Sequence, residues 1–357
     1  HSDSLDAGLR LVTHYQQTGQ TREALELAKQ LQVAHPRYPA VLDLLSIAEF
    51  NVGKPDEALA TVTTLAEVAP DSAGVHYQLA KLQLQQGQRD AAHSSLRRAI
   101  ELQADYPDAQ LAIGRLDIAA KDDAAVLAMV ERLKEAHPDA AYGYELEGDL
   151  HAARRESEKA VIAYSRAYNK QARAALAQKL FHARKSTGET GPAHDALRLW
   201  LAQTPEDVAT RTVLAQSLQG SGQTREAIEE SLKLLEHDPE NVAALNNVAW
   251  LYQEAGNPEG IRYAERAHEL APERPEITDT LGWLLVQNGE INRGLVLLQE
   301  ARVKAPHIPD IHYHMAVALH KSGRDDEARK ELDRLLRSSR DFPDLANARV
   351  LHAELSN

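Results

Sequence analysis

Gly19-Gln20-Thr21-Arg22-Glu23-Ala24-Leu25 returns, changed only at its last position, as Gly222-Gln223-Thr224-Arg225-Glu226-Ala227-Ile228. The copies lie 203 positions apart (19 to 222), one short of six periods of 34. Prolines keep the same beat: Pro36 to Pro70, Pro205 to Pro239 and Pro272 to Pro306 are each 34 apart, and Pro70 to Pro138 is twice that. A proline cannot continue a helix, so each marks where a helical segment ends. The chain is thus a string of short, similar units.

Working outward from these anchors, repeats begin near Leu5, Pro39, Ala73, Pro107, Ala141, Ala174, Val208, Val242, Pro275 and Pro309. Each reads as a helix A, a tight turn, a helix B and a loop. The turn carries glycine at 19, 53, 87, 188, 222, 256, 289 and 323, which suits a left-handed helix C-terminus. Helix B carries a small residue at Ala24, Ala58, Ala92, Ala160, Ala193, Ala227, Gly260, Gly294 and Ala328. Helix A carries one at Ser46, Ala80, Gly114, Gly148, Ala215, Ala249, Gly282 and Ala316. Small side chains let two helices approach closely while neighbouring leucines fill the grooves.

The middle departs from the pattern. Lys121 and Arg155 stand at turn positions, Val126 and Phe181 at small positions, and the eighth repeat is one residue short after Gly256. These units are expected to stack with altered pitch. After the tenth repeat, Asp344 to Leu355 reads as one further amphipathic helix, and a solenoid needs such a cap over its last apolar face.

A 34-residue helix-turn-helix period resembles the tetratricopeptide repeat. The resemblance implies an all-α, right-handed superhelical solenoid of about ten units spanning residues 1–343, closed by a capping helix and tail over 344–357. Composition agrees with such a fold. Hydrophobic residues are 43% and charged residues 26% of 357, with aromatics only 5%, and the abundant Ala, Leu, Glu, Gln and Arg are strong helix formers. The formal charge of −13, with no basic cluster beyond pairs such as Arg97-Arg98, disfavours nucleic acid. The absence of cysteine removes disulfides, thiolate zinc sites and Cys nucleophiles. No run approaches the ~20 apolar residues that span a bilayer, and no signal peptide opens the chain. Its start at His1 without a Met fits a segment of a longer protein.

No catalytic motif is present, so the chain is expected to be non-catalytic, without cofactor or metal. Gly220-Ser221-Gly222 looks nucleophilic but falls on a repeat turn. His312, His314 and His320 share one helix, yet spacings of two, six and eight do not bring them to one face as a chelating pair.

The A helices line the concave groove of a tetratricopeptide solenoid. In this register the groove positions of the last three repeats include Asn246, Trp250, Asp279, Trp283, Tyr313 and His320. Trp250 and Trp283 hold equivalent positions one repeat apart, with Asn, Asp and Tyr one turn away. Flat apolar faces beside hydrogen-bonding groups suit a peptide or a sugar chain; the competing reading packs both indoles between adjacent A helices. Trp200, in helix B of repeat six, reads as core. Relatives that grip peptide C-termini use a Lys, Asn and Arg clamp. Lys81, Arg115 and Lys179 lie near groove positions but without the paired Asn, so no clamp is expected.

The C-terminal part carries a further likeness. Leu245-Asn246-Asn247-Val248-Ala249-Trp250-Leu251-Tyr252, then Tyr263-Ala264-Glu265-Arg266-Ala267 and Leu270-Ala271-Pro272, then Asp279-Thr280-Leu281-Gly282-Trp283 and Ile311 to Leu319 follow in an order that resembles the tetratricopeptide-repeat lipoproteins of the bacterial PEP-CTERM/exosortase system. The likeness covers residues 195–355, with Trp200 to Pro205 upstream. It implies a non-catalytic periplasmic scaffold for exopolysaccharide or sorted-protein export, binding protein, peptide or polysaccharide. Any membrane anchor would lie outside this chain. The alternatives are a cytoplasmic peptide-binding adaptor and the regulatory arm of an enzyme such as a glycosyltransferase.

Overall fold

The computed structural model describes residues 2–339 and 341–356, with side chains from residue 5 onward. Those residues form twenty-one α-helices and no strand. Two units divide the chain, residues 1–189 and 190–357. In the first, helix pairs run α1 (Ser2–Gln17) with α2 (Thr21–Ala34), α3 (Pro39–Asn51) with α4 (Pro55–Val68), α5 (Ala73–Gln85) with α6 (Arg89–Leu102), α7 (Pro107–Ala120) with α8 (Asp123–Ala136), and α9 (Tyr142–Ala153) with α10 (Ser157–Lys170); α11 (Ala174–Ser186) closes it. In the second, α12 (Thr190–Leu201) precedes α13 (Val208–Gly220) with α14 (Thr224–His237), α15 (Val242–Glu254) with α16 (Gly260–Leu270), α17 (Pro275–Gln287) with α18 (Ile291–Lys304), and α19 (Pro309–Lys321) with α20 (Asp325–Ser338); α21 (Leu345–Glu354) lies on α20. Within each unit every helix packs on its sequence neighbours, and A helices also touch the A helix one repeat on, as α7 does α9, α15 does α17 and α17 does α19.

Nine of the ten expected repeat starts coincide with, or precede by one residue, the first residue of an A helix; α1 begins three residues before Leu5. Proline opens α3, α4, α7, α17 and α19, where a helix has no N–H partner to lose. Ser72, Asp122, Asp207 and Asn241 cap α5, α8, α13 and α15 by accepting a backbone N–H three residues on.

The small residues sit where helices cross. Ala24, Ala58, Ala92, Ala160, Ala193, Ala227 and Ala328 are fully buried. At the α17–α18 crossing two glycines face each other: a Cβ on Gly294 would stand 2.6 Å from the Gly282 carbonyl oxygen and 2.5 Å from Val286 Cγ2. Among the irregular repeats, Lys121 and Arg155 adopt φ of 62° and 60°, the left-handed conformation that glycine supplies in the eight regular turns. The turn geometry is therefore imposed by the hairpin, and these two side chains bear its steric cost. Val126 and Phe181 are buried where small residues were expected. No helix among the described residues is long and apolar enough to cross a membrane.

Candidate functional site

The six residues singled out from the sequence lie on α15, α17 and α19 of the second unit. Trp250 and Trp283 are half-buried, packed by one side against a core of Ala249, Ala264, Leu281, Leu284 and Leu285. The feature that joins them is His314. Its ring stacks on Trp283, with centroids 4.2 Å apart and planes 18° from parallel, and lies 6.3 Å from the Trp250 ring. The imidazole is 4% exposed. It is held by Asp279, whose two carboxylate oxygens each lie 3.0 Å from His314 Nδ1. Nδ1 is therefore the protonated nitrogen, since a carboxylate can only accept. Trp250 donates its own N–H to Glu254 one turn on, at 3.2 Å.

Two of the six residues differ from the sequence expectation. Asp279 is buried and taken up by His314. Tyr313 is also buried; it packs with Ala316, Leu332, Phe342 and Ala348, in the joint between the last repeat and α21, while its ring centroid lies 6.3 Å from that of Trp283. A one-residue step turns a helical side chain by about 100°, which is enough to send Tyr313 toward the cap and His314 between the indoles. His320 is exposed, with Nδ1 2.7 Å from Asp325, and stands in none of these ring contacts. Trp200 is half-buried, and its N–H donates to Asp207 at 2.6 Å, tying α12 to the cap of α13.

Two acceptors on this side of the unit have no partner. Asn246 Oδ1, one turn before Trp250 on the same face of α15, and Asp310 Oδ1, one turn before His314 on α19, are both buried without a hydrogen bond. Burial pushes the Asp310 carboxyl above the usual carboxylate range; Asp279 and Asp344 push it further, and His314 opposes them.

The first unit carries a site that the sequence reading missed. Glu145, 1% exposed on α9, receives Arg115 from α7 at 2.6 Å and Lys179 from α11 at 2.9 Å, and it also pairs with Arg173. Asp149, one turn on, takes Arg115 at 2.8 Å, Lys179 at 2.5 Å and the Tyr164 hydroxyl at 2.8 Å. Burial alone would lower the Arg115 guanidinium, but Asp149 and Glu145 outweigh it and raise its pKa. The Tyr164 hydroxyl is held far above its ordinary range by burial, reinforced by Asp149. Arg115 and Lys179, weighed above as clamp residues, are thus occupied by internal carboxylates. A groove also opens beside Ser46, Ile47, Phe50, Gln78, Lys81 and Leu82, with a cavity of about 260 Å³. Among the described residues, no group of three or more His, Asp or Glu side chains is arranged to hold a metal ion.

Comparison with known proteins agrees on the repeat. Residues 285–351 and residues 73–106 each match a family model described as "Tetratricopeptide repeat". No curated protein matches the chain. Among solved structures it is similar to one described as Naa15/Naa10 bound to HypK-THB (14% identity, 99% of this chain and 65% of that one, TM-score 0.36). It is also similar to yeast Tom70 (14%, 99% and 88%, 0.41) and to the APC/C hetero-tetramer Cut9-Hcn1 (11%, 98% and 96%, 0.45). The chain thus spans 65% of the length of the first of these. Residues 73–106 and 285–351, one stretch in each unit, carry tetratricopeptide repeats in an all-helical array of packed helix pairs.

Proposed function

We propose that the chain is a non-catalytic scaffold that holds an extended peptide segment of a partner protein, and that the α15–α17–α19 face of the second unit is a binding face. The observation that carries this reading is the Trp250–His314–Trp283 cluster. It is a rigid aromatic surface, half covered by core and half open, built from three successive A helices. Aromatic groups that are fixed before a ligand arrives lose little entropy on binding and offer stacking area. The polar groups around them supply direction. The test is selection of a random linear dodecapeptide library on the full chain, followed by titration monitored by tryptophan fluorescence. Trp250→Ala should keep the helical signal and weaken every selected peptide by tenfold or more, the range of an aromatic interface anchor. A variant that binds as well as wild type would overturn the reading. Selective binding of oligosaccharides in a parallel screen, with no peptide recovered, would replace peptide by glycan.

The finer placement rests on the resemblance of residues 195–355 to envelope lipoproteins of the exosortase system. On that reading the scaffold works in the periplasm, in the export or assembly of exopolysaccharide or sorted surface proteins. Fractionation of the native cells tests it: release with the periplasmic or membrane fraction supports it, and recovery with the cytosol replaces it by a cytoplasmic adaptor.

A further inference from the structure

We propose that the A-helix face of the first unit, over α5, α7, α9 and α11, docks an acidic linear segment of a partner protein whose carboxylates meet Lys81 and Arg115. This surface is separate from the aromatic cluster and uses none of its residues. Three observations converge. The first is charge. Arg115, Arg173 and Lys179 stand against two carboxylates, Glu145 and Asp149, so one positive charge is left over. That surplus runs against the sign of the chain, whose net charge is −13.

The second observation is layering. The Glu145 and Asp149 side chains are 2% and 13% exposed, while those of Arg115, Arg173 and Lys179 are 44%, 32% and 26% exposed. The acids form a floor and the cations stand above it, so an approaching ligand meets positive groups first. Lys81 extends the row. It holds the position of Arg115 one repeat earlier, on α5, and is exposed, with its ammonium 5.8 Å from the centroid of the Tyr77 ring. Among the described residues it forms no ion pair.

The third is hydrogen bonding, because the internal acids do not exhaust the cations. A guanidinium carries five N–H donors. Arg115 gives Nε to Asp149 and Nη2 to Glu145, and its Nη1 meets no acceptor among the described residues. Every carboxylate oxygen of Glu145 and Asp149 already accepts at least one donor. The spare donors therefore call for an acceptor from outside, and a carboxylate takes them with charge assistance. Cations set on successive A helices are answered by side chains along one extended segment. A nucleic acid repeats its charge at every phosphate, more than this short row can answer on a chain of net −13.

The experiment runs the dodecapeptide selection on the full chain carrying Trp250→Ala, so that the aromatic cluster does not dominate recovery. Each recovered peptide is remeasured on the wild-type chain with its Asp and Glu residues replaced one at a time by the amides. The expected result is a shared acidic residue whose replacement weakens binding by about tenfold. Binding should also fall severalfold between about 50 and about 300 mM salt, as pairs of solvent-facing charges do. Arg115→Gln and Lys81→Gln should each weaken the acidic peptides comparably. Lys81 pairs with neither internal acid, so Lys81→Gln decides the matter even if Arg115→Gln disturbs folding. Peptides that bind equally well as amides, or acidic peptides indifferent to Lys81→Gln, would overturn the proposal. So would a single-stranded oligonucleotide that binds the same face more tightly than any acidic peptide. None of these outcomes touches the Trp250 reading, which is measured on other residues and other peptides.

Discussion

Gly294→Ala puts one methyl group into the tightest crossing in the second unit. The added Cβ would lie 2.5 Å from Val286 Cγ2, 2.6 Å from the Gly282 carbonyl oxygen and 3.1 Å from the Val286 backbone nitrogen. Two of the three contacts are backbone atoms of α17, so no rotamer change relieves them. Restoring about 3.4 Å to the carbonyl needs the helices to part by several tenths of an ångström. That separation opens the layer in which Leu284, Leu285 and Leu298 are fully buried. Overpacking of this kind costs about 1–3 kcal/mol. Against it, alanine gains up to about 1 kcal/mol over glycine inside a helix. The net expectation is destabilisation of about 1–2 kcal/mol. Gly220→Ala is the control, because Gly220 is the last residue of α13 with open space around its Cβ; there only the helix term acts and the variant should be as stable as wild type or more so. Urea unfolding followed by circular dichroism reads both. Units of a repeat array interact mainly with neighbours, so Gly294→Ala should broaden or split the transition instead of shifting all of it. A Gly294→Ala variant as stable as Gly220→Ala would show that the α17–α18 contact does not require glycine.

Lys121→Gly and Arg155→Gly should each stabilise the first unit by about 0.5–1 kcal/mol, because both residues hold left-handed backbone that costs an L side chain more than glycine; a loss of denaturation midpoint in both would refute this. Glu145→Gln removes the buried charge that gathers Arg115, Arg173 and Lys179 and should cost about 1–3 kcal/mol, less than a wholly buried pair because the three cations keep partial contact with water. The measurement is chemical denaturation, and an unchanged midpoint counts against the network. His312 has its pKa raised by its hydrogen bond to Glu331, against the opposing effect of burial. Its stabilising contribution is therefore complete below about pH 6.5, the ordinary histidine value, and fades as pH rises through the raised folded value. His312→Gln should remove that slope from the stability–pH profile, and a wild-type slope in the variant would refute the assignment.

The helices were legible in the sequence because their signals are local. A proline or a capping side chain at one end and a small residue at the crossing level recur in nearly every unit, and none depends on a distant partner. The aromatic cluster was legible in part, since Trp250 and Trp283 share a repeat position. What escaped was the chemistry that joins one repeat to the next. Arg115 and Asp149 are 34 residues apart, as are Glu145 and Lys179, and Asp279 and His314 are 35 apart. Composition and helix periodicity cannot register such pairs, but a search for opposite charges one period apart would have found the first two. His314 is harder, because its insertion between two indoles depends on a rotation of one residue relative to Tyr313. Arg115 and Lys179 were weighed only for an external carboxylate, and their internal ones went unnoticed.

The Glu145 cluster also bears on how freely such an array can be edited. Units of one length and one fold invite the view that any of them can be deleted or duplicated in frame. Excising residues 141–173 would bring the repeat that carries Arg115 against the one that carries Lys179, with both carboxylates between them gone. Two cations would then meet where each now meets an acid. Duplicating the same segment, which carries Arg173 with it, would set four acids against four cations where two acids now face three cations. The fifth repeat is fixed in its place by this alternation of sign, so the array has an address system written in charge although its helices are built alike.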